Sequence, residues 1–160
     1  GEGEGGDSRQ AEHPGFLQHR RDALERQQRV DQHDLRDAVL RQFAQARLAQ
    51  GAPSQPGGGA AWFRLVVPFV EGMPTSPAMR AIAAADFGNG LSWVLPARRF
   101  VFANADLSLH LHRQPVGEWI GLQSQTQADA SGAGLTLSQL FDEQGSIGVA
   151  VQTLVLRERS

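Results

Sequence analysis

Two residue types are missing outright, and each absence removes a class of chemistry. There is no cysteine among the 160 residues. Disulfides, thiolate-ligated zinc and a thiol nucleophile are therefore excluded. There is no lysine either: all 15 basic residues are arginine. A Schiff-base lysine and the lysine of a Walker phosphate loop are excluded with it. An excess of one charge is lacking too. The 15 basic residues face 17 acidic ones, for a formal net charge of −2. Bulk charge thus supplies no basic surface for nucleic acid. No uninterrupted apolar run approaches the ~20 residues that a membrane-spanning helix needs. No charged-then-apolar leader opens the chain, and a cytoplasmic location is expected. The chain begins at Gly1 rather than Met, which is read as a start that is missing or engineered.

What is present divides into unlike halves. Residues 1–50 are rich in Arg, Gln, Asp and Glu, and residues from 60 onward in Val, Leu, Ala and Phe. Between them Gly51–Gly59 is a Gly- and Pro-rich linker. The expected division is a low-complexity or helical arm with its linker over 1–59 and one folded domain over 60–160. In the arm, Leu24, Val30, Leu35, Val39, Phe43 and Leu48 recur at roughly helical spacing. Asp31 or Asp34 would start a second helix and Gly51 end it. So thin an apolar stripe offsets little chain entropy, so a poorly ordered extension is expected over a regulatory or dimerising arm.

The second half opens with a strand candidate, Trp62–Phe69. Ser76-Pro77 then reads as an N-cap followed by proline in the first helical turn. The helix continues through Ala81, Ala83, Ala84 and Ala85 to Phe87, and Gly88-Asn89-Gly90 is expected to stop it in left-handed conformations. Four strand candidates follow: Phe100–Arg113, Glu118–Asp129, Gly134–Asp142 and Ile147–Arg157, joined by Gly- and Pro-containing turns. In the first, Val101, Ala103, Ala105, Leu107, Leu109 and Leu111 fall on one face, with Asn104, Asp106, Ser108, His110 and His112 on the other. So many alanines imply a helix held close to its neighbour. The order predicts an α+β hotdog: an antiparallel sheet wrapped around a central Ala-rich helix.

Ser76-Pro77-Ala-Met-Arg80, Ala84-Ala-Asp-Phe-Gly-Asn-Gly90, Asn104 to Arg113, Pro115-Val-Gly-Glu-Trp119, Phe141 to Gly145 and Val151 to Val155 form an ordered set. From about Trp62 to Arg157 that set resembles the C-terminal hotdog of the acyl-CoA thioesterase II (TesB-like) family. The resemblance implies hydrolysis of acyl-CoA to free fatty acid and CoA; no cofactor or metal is expected. It implies a catalytic group of an Asp at the helix end, a Thr or Ser on the next strand and a Gln on the last. Asp86 matches the Asp and Gln152 the Gln, while Asn104 departs from the hydroxyl residue. Family members usually carry two hotdog repeats; no first repeat is evident in residues 1–50, so a homodimer that rebuilds the two-hotdog body is expected.

No Ser lies in a G-x-S-x-G elbow, so an attacking water activated by Asp86 fits better than a serine nucleophile. Asn104 and Gln152 carry amides able to orient that water or donate to an oxyanion. Other readings stand beside these: Asp86 as a solvated turn residue, Gln152 as a polar residue on an exposed edge strand, Asn104 as a buried amide tying strand to helix. Arg113 either meets a CoA phosphate or braces Glu118 or Asp106, and Asn89 is a second substrate-binding candidate. His110 and His112 share a face near Asp106, an incomplete ligand set that reads better as polar surface than as a metal site. Trp93 and Trp119 read as core or interface. A non-catalytic acyl-CoA-binding module, or a truncated structural partner, is the alternative function.

Overall fold

The computed structural model describes residues 43–51, 56–96, 99–129 and 131–158. The helical spacing from Leu24 to Val39 lies outside the described residues. Seven strands are described: β1 (Ala44–Gln50), β2 (Gly59–Leu65), β3 (Phe100–Asn104), β4 (Ser108–Leu111), β5 (Ile120–Ala128), β6 (Ala133–Asp142) and β7 (Gly145–Glu158). They form one antiparallel sheet in the order β1-β2-β5-β6-β7-β3, with β4 also on β7. Two helical segments, α1 (Pro77–Ala85) and α2 (Gly88–Leu91), lie between β2 and β3. No helix among the described residues is long and apolar enough to cross a membrane.

α1 starts where expected. The Ser76 side chain accepts from the Met79 N–H at 3.2 Å, Pro77 occupies the first turn, and the Met79 sulfur accepts back from the Ser76 N–H. Its small face, Ala81, Ala84 and Ala85, is buried against Ala61, Phe63, Ile120, Leu122, Leu140 and Ile147. Alanine removes the side-chain bulk that would hold helix and sheet apart, and costs no rotamer entropy. Phe87 extends the packing by stacking on Phe63, centroids 4.7 Å apart.

Four expectations need correction. Ala44–Gln50, read as the end of a helix, is a strand, paired from Ala44 opposite Leu65 to Gln50 opposite Ala60; long-range pairing overrides a local period of so few apolar residues. Gly88-Asn89-Gly90 is not a left-handed stop, because none of the three has positive φ and they form α2. Gln152 is not on an edge strand, because β7 has neighbours on both sides. Phe100–Arg113 is not one alternating strand. Asn104 lies opposite Leu154 and Ser108 opposite Val151, so four residue steps on this side match three on β7. One residue is bulged out and the facing pattern inverts across it. Phe102 is half-buried and Val101 exposed before the bulge; Leu107, Leu109 and Leu111 pack on the core after it.

Along the sheet's inner face, composition changes in bands. Ile120, Leu122 and Leu140 lie under α1. Ser124, Thr136, Ser138 and Gln152 form a buried polar band next to them, and Leu154 and Leu156 return to apolar character beyond. α2 packs against β5 and β6 over the polar band. The outer face carries Leu135, Leu137, Val149 and Val155, all exposed.

Candidate active site

The end of α1 brings the three sequence candidates together. Asp86 caps the helix, its N–H bonded to the Ile82 carbonyl, and its side chain stands exposed. Asn104 closes β3, its side chain on the same side as Phe102 two residues before it, and the bulge that follows brings Leu107 and Leu109 to that side as well. Asn104 Nδ2 donates to Asp86 Oδ1 at 2.9 Å. Gln152, fully buried on β7, donates through Nε2 to the Asp86 carbonyl at 3.3 Å and accepts through Oε1 from the Asn89 N–H at 3.1 Å. Only one orientation of the Gln152 amide satisfies both partners, so the network fixes it. Asn104 is thus a tie between strand and helix end, though exposed rather than buried.

Asn89 belongs to the same cluster. Its Nδ2 donates to Asn104 Oδ1 at 2.5 Å and its Oδ1 accepts from the Gly90 N–H at 2.6 Å. The donors run in one direction: Gly90 N–H to Asn89, Asn89 to Asn104, Asn104 to Asp86. One carboxylate oxygen, Oδ1, is thereby engaged, while Oδ2 makes no hydrogen bond among the described residues. A carboxylate held by one oxygen and exposed at the other can orient a water molecule and receive its proton.

Gly88 makes this closeness possible. A Cβ there would stand 2.5 Å from Ser138 Oγ and 2.8 Å from Gln152 Oε1. Any side chain would lift α2 off the polar band or push the Gln152 amide away.

Sequence reasoning missed the hydroxyls beneath α2. Ser92, Ser124 and Thr136 are fully buried and Ser138 nearly so. Ser92 Oγ donates to the Gly88 carbonyl at 2.9 Å and meets Thr126 Oγ1 at 2.8 Å; Thr126 meets Thr136 at 2.7 Å, and Ser124 meets Ser138 at 2.8 Å. The register explains the pairs, since Ser124 faces Ser138 and Thr126 faces Thr136 across β5 and β6. The signal was present: Ser124-x-Thr126 and Thr136-x-Ser138 break the apolar alternation of both strands at matched positions.

Beside the cluster lies a shallow recess open to solvent. Asn89 and Thr126 supply its polar lining, and Trp93, Leu95, Phe102, Leu154 and Leu156 its apolar walls. Trp93 is therefore half-buried recess wall. Trp119 instead packs beside Trp62 and Phe141, under the Arg47 and Arg64 guanidinium groups at 4.3 and 5.2 Å from its ring centre.

Arg113 does not join the site. Its Nη1 and Nη2 make a bidentate pair with Asp142 at 2.5 and 2.7 Å, while Nη1, Nη2 and Nε also donate to the carbonyls of Gln114, Gly145 and Ser146. All five N–H donors are used within the fold, which leaves none for a phosphate. The partner is Asp142 rather than Glu118, which pairs with Arg64, or Asp106, which accepts from Thr153. Burial of Asp142 works to raise its pKa. The Arg113 hydrogen bonds, with the Val116 and Gln144 N–H donors, outweigh it and hold the carboxyl below its usual range. His110 and His112 are exposed, and among the described residues no three His, Asp or Glu groups converge as metal ligands.

Residues 14–156 match the model of the family described as the acyl-CoA thioesterase C-terminal domain. The match begins well before Trp62, where the sequence resemblance was first visible. No curated protein matches the chain. Among solved structures, an acyl-CoA thioesterase II, TesB2, from Mycobacterium marinum is similar at 18% identity and TM-score 0.53, over 84% of this chain and 58% of its own. A protein of unknown function with a hot dog fold from Alicyclobacillus acidocaldarius has TM-score 0.57 at 12% identity, over 82% of this chain and 55% of its own. A thioesterase from Haemophilus influenzae has TM-score 0.55 at 10% identity, over 80% of this chain and 93% of its own. At such identities the likeness is one of fold, and the chain spans only a little over half the length of the first two. Sheet, helix and family match agree: this chain belongs to the acyl-CoA thioesterase C-terminal domain family and has its hotdog fold.

Proposed function

We propose that the chain hydrolyses acyl-CoA thioesters, with Asp86 as the group that holds and deprotonates the attacking water. The observation that carries the proposal is the arrangement around Asp86. One carboxylate oxygen is tied to Asn104, the other is open, and an apolar recess begins one residue contact away at Asn89. In that arrangement the acyl chain lies against Phe102, Leu154 and Leu156, with its thioester carbonyl at the polar end. Water oxygen attacks the carbonyl carbon while Asp86 Oδ2 takes its proton. Collapse of the tetrahedral intermediate breaks the C–S bond, the proton returns to the thiolate, and free acid and CoA leave. Gln152, being fully buried, acts as a positioning residue through the Asp86 carbonyl rather than by touching substrate. Asn104 orients Asp86 and cannot relay a proton as a hydroxyl can.

The unit that does this is taken as residues 60–160, with β1 lent to its sheet from the preceding segment, and as a homodimer. The exposed Leu135, Leu137, Val149 and Val155 on the outer face support association.

Thiol release from acyl-CoAs of graded chain length, measured on wild type and Asp86→Ala, tests the proposal. Release by wild type and its loss in the folded variant is expected. Equal release by both removes Asp86 from the role. Saturable acyl-CoA binding by wild type without release favours the non-catalytic binding module, the reading that the Asn104 departure supports.

A further inference from the structure

We infer that the hydroxyls of the buried Ser92 and Thr136 and of the half-buried Thr126 are positioning residues for the site, acting through one peptide bond on Gln152 and thence on Asp86. The inference rests on the hydrolase reading for its kinetic part only.

A hydroxyl has a single proton to give. Ser92 gives its own to the Gly88 carbonyl, 2.9 Å away. The proton between Ser92 and Thr126 must then come from Thr126, and the one between Thr126 and Thr136 from Thr136. Three hydroxyl dipoles are therefore aligned head to tail and end on one carbonyl. That carbonyl belongs to the same peptide unit as the Asn89 N–H, which donates to Gln152 Oε1 at 3.1 Å. A peptide whose oxygen accepts a strong hydrogen bond becomes a stronger donor at nitrogen, and such chains strengthen cooperatively in a dry interior. The same holds for the next amide. Gln152 accepts at Oε1 and donates from Nε2 to the Asp86 carbonyl. The series Thr136, Thr126, Ser92, Gly88–Asn89, Gln152, Asp86 thus runs in one sense, from β6 through β5 and α2 to β7 and the end of α1.

Burial argues that this is more than loose satisfaction of polar atoms. Ser92, Thr136 and Gln152 have no solvent-exposed surface. Each would cost free energy without its partner, so the members hold one another in a single arrangement. An apolar set of the same shape would pack equally well but would leave the Asn89 N–H and the Gln152 amide free to choose other partners. Alignment of the catalytic carboxylate is where small displacements cost most in rate.

The test is made on the full chain, by amide NMR and by steady-state hydrolysis. Ser92→Ala and Thr126→Val remove a hydroxyl, the second at constant volume; Thr126→Ser keeps the hydroxyl and loses a methyl group. Weakening of the Asn89 hydrogen bond is expected in the first two: its amide proton moves upfield, and its hydrogen exchange speeds up about twofold, the scale of a cooperative weakening of one bond. kcat falls about tenfold in Ser92→Ala with KM unchanged; because Thr126 also lines the recess, its pair is judged by the Asn89 signal, which Thr126→Ser recovers relative to Thr126→Val. An unmoved Asn89 amide in folded Ser92→Ala or Thr126→Val overturns the inference. So does a Thr126→Ser variant whose Asn89 signal moves as far as in Thr126→Val, which would make packing the cause. If Ser92→Ala fails to fold, the Thr126 pair still decides. If wild type releases no thiol, the hydrolase proposal fails, whereas the Asn89 amide still judges the hydrogen-bond series.

Discussion

Replacing Arg113 by methionine separates a brace from a phosphate contact. Methionine keeps most of the apolar stem and removes all five donors. Asp142 would remain fully buried with only the Val116 and Gln144 N–H groups, each 2.7 Å away, to satisfy it. Breaking a buried pair by deleting one partner costs about 3–5 kcal/mol. The Arg113 side chain is 31% exposed, which screens part of the interaction. The lower end, about 3 kcal/mol at pH 7, is therefore expected. For a domain of ordinary stability, about 5–15 kcal/mol, that is a large share. The pH dependence sharpens the test. In wild type the folded Asp142 has a pKa below its unfolded value, near 3.9. Its contribution is complete above that value and is lost as pH falls through the lower, folded one. In Arg113→Met the guanidinium no longer opposes burial, and the folded pKa rises from its wild-type position. The folded variant then takes up its proton at a higher pH than folded wild type does, so its deficit shrinks as pH falls through that interval. Urea denaturation followed by circular dichroism from pH 7 to pH 4 measures both. A deficit under about 1 kcal/mol at pH 7, or one that widens toward acid, refutes the buried brace.

Gly88→Ala should destabilise the fold by about 1–3 kcal/mol, as overpacking does, and lower thiol release about 100-fold by displacing the Gln152 amide; normal release would mean that α2 yields without disturbing the site. Sedimentation at micromolar concentration should find a dimer, and a monodisperse monomer would leave the outer apolar face without that explanation.

Much of the fold was legible because strong local signals and tertiary packing agree. Ser76-Pro77 marks the start of α1, and β5, β6 and β7 lie close to the strands expected between their turns. Asp86, Asn104 and Gln152 were found through an ordered resemblance, not through spacing. What escaped was set by long-range geometry. Ala44–Gln50 has no strand alternation of its own and becomes a strand by pairing with β2. Gly88 looked like a helix stop because glycine permits positive φ, but here its value is the absence of a Cβ over Ser138 and Gln152. The partner of Arg113 lies 29 residues away on another strand, where no local pattern reaches. The hydroxyls under α2 became meaningful only once the β5–β6 register placed them opposite one another.

The bulge between Asn104 and Ser108 makes parity, rather than residue identity, the quantity under constraint in that stretch. Regular alternation of the same residues without the bulge would leave Phe102 and Asn104 in phase with His110 instead of with Leu109. Either the histidines would enter the core or Asn104 would swing away from Asp86. Many substitutions at Ala105 would be absorbed by its exposed position. A one-residue deletion there would turn the bulge into a regular ladder, three steps against three, and leave Phe102, Asn104 and Leu109 on the same face, whereas deleting two would invert it.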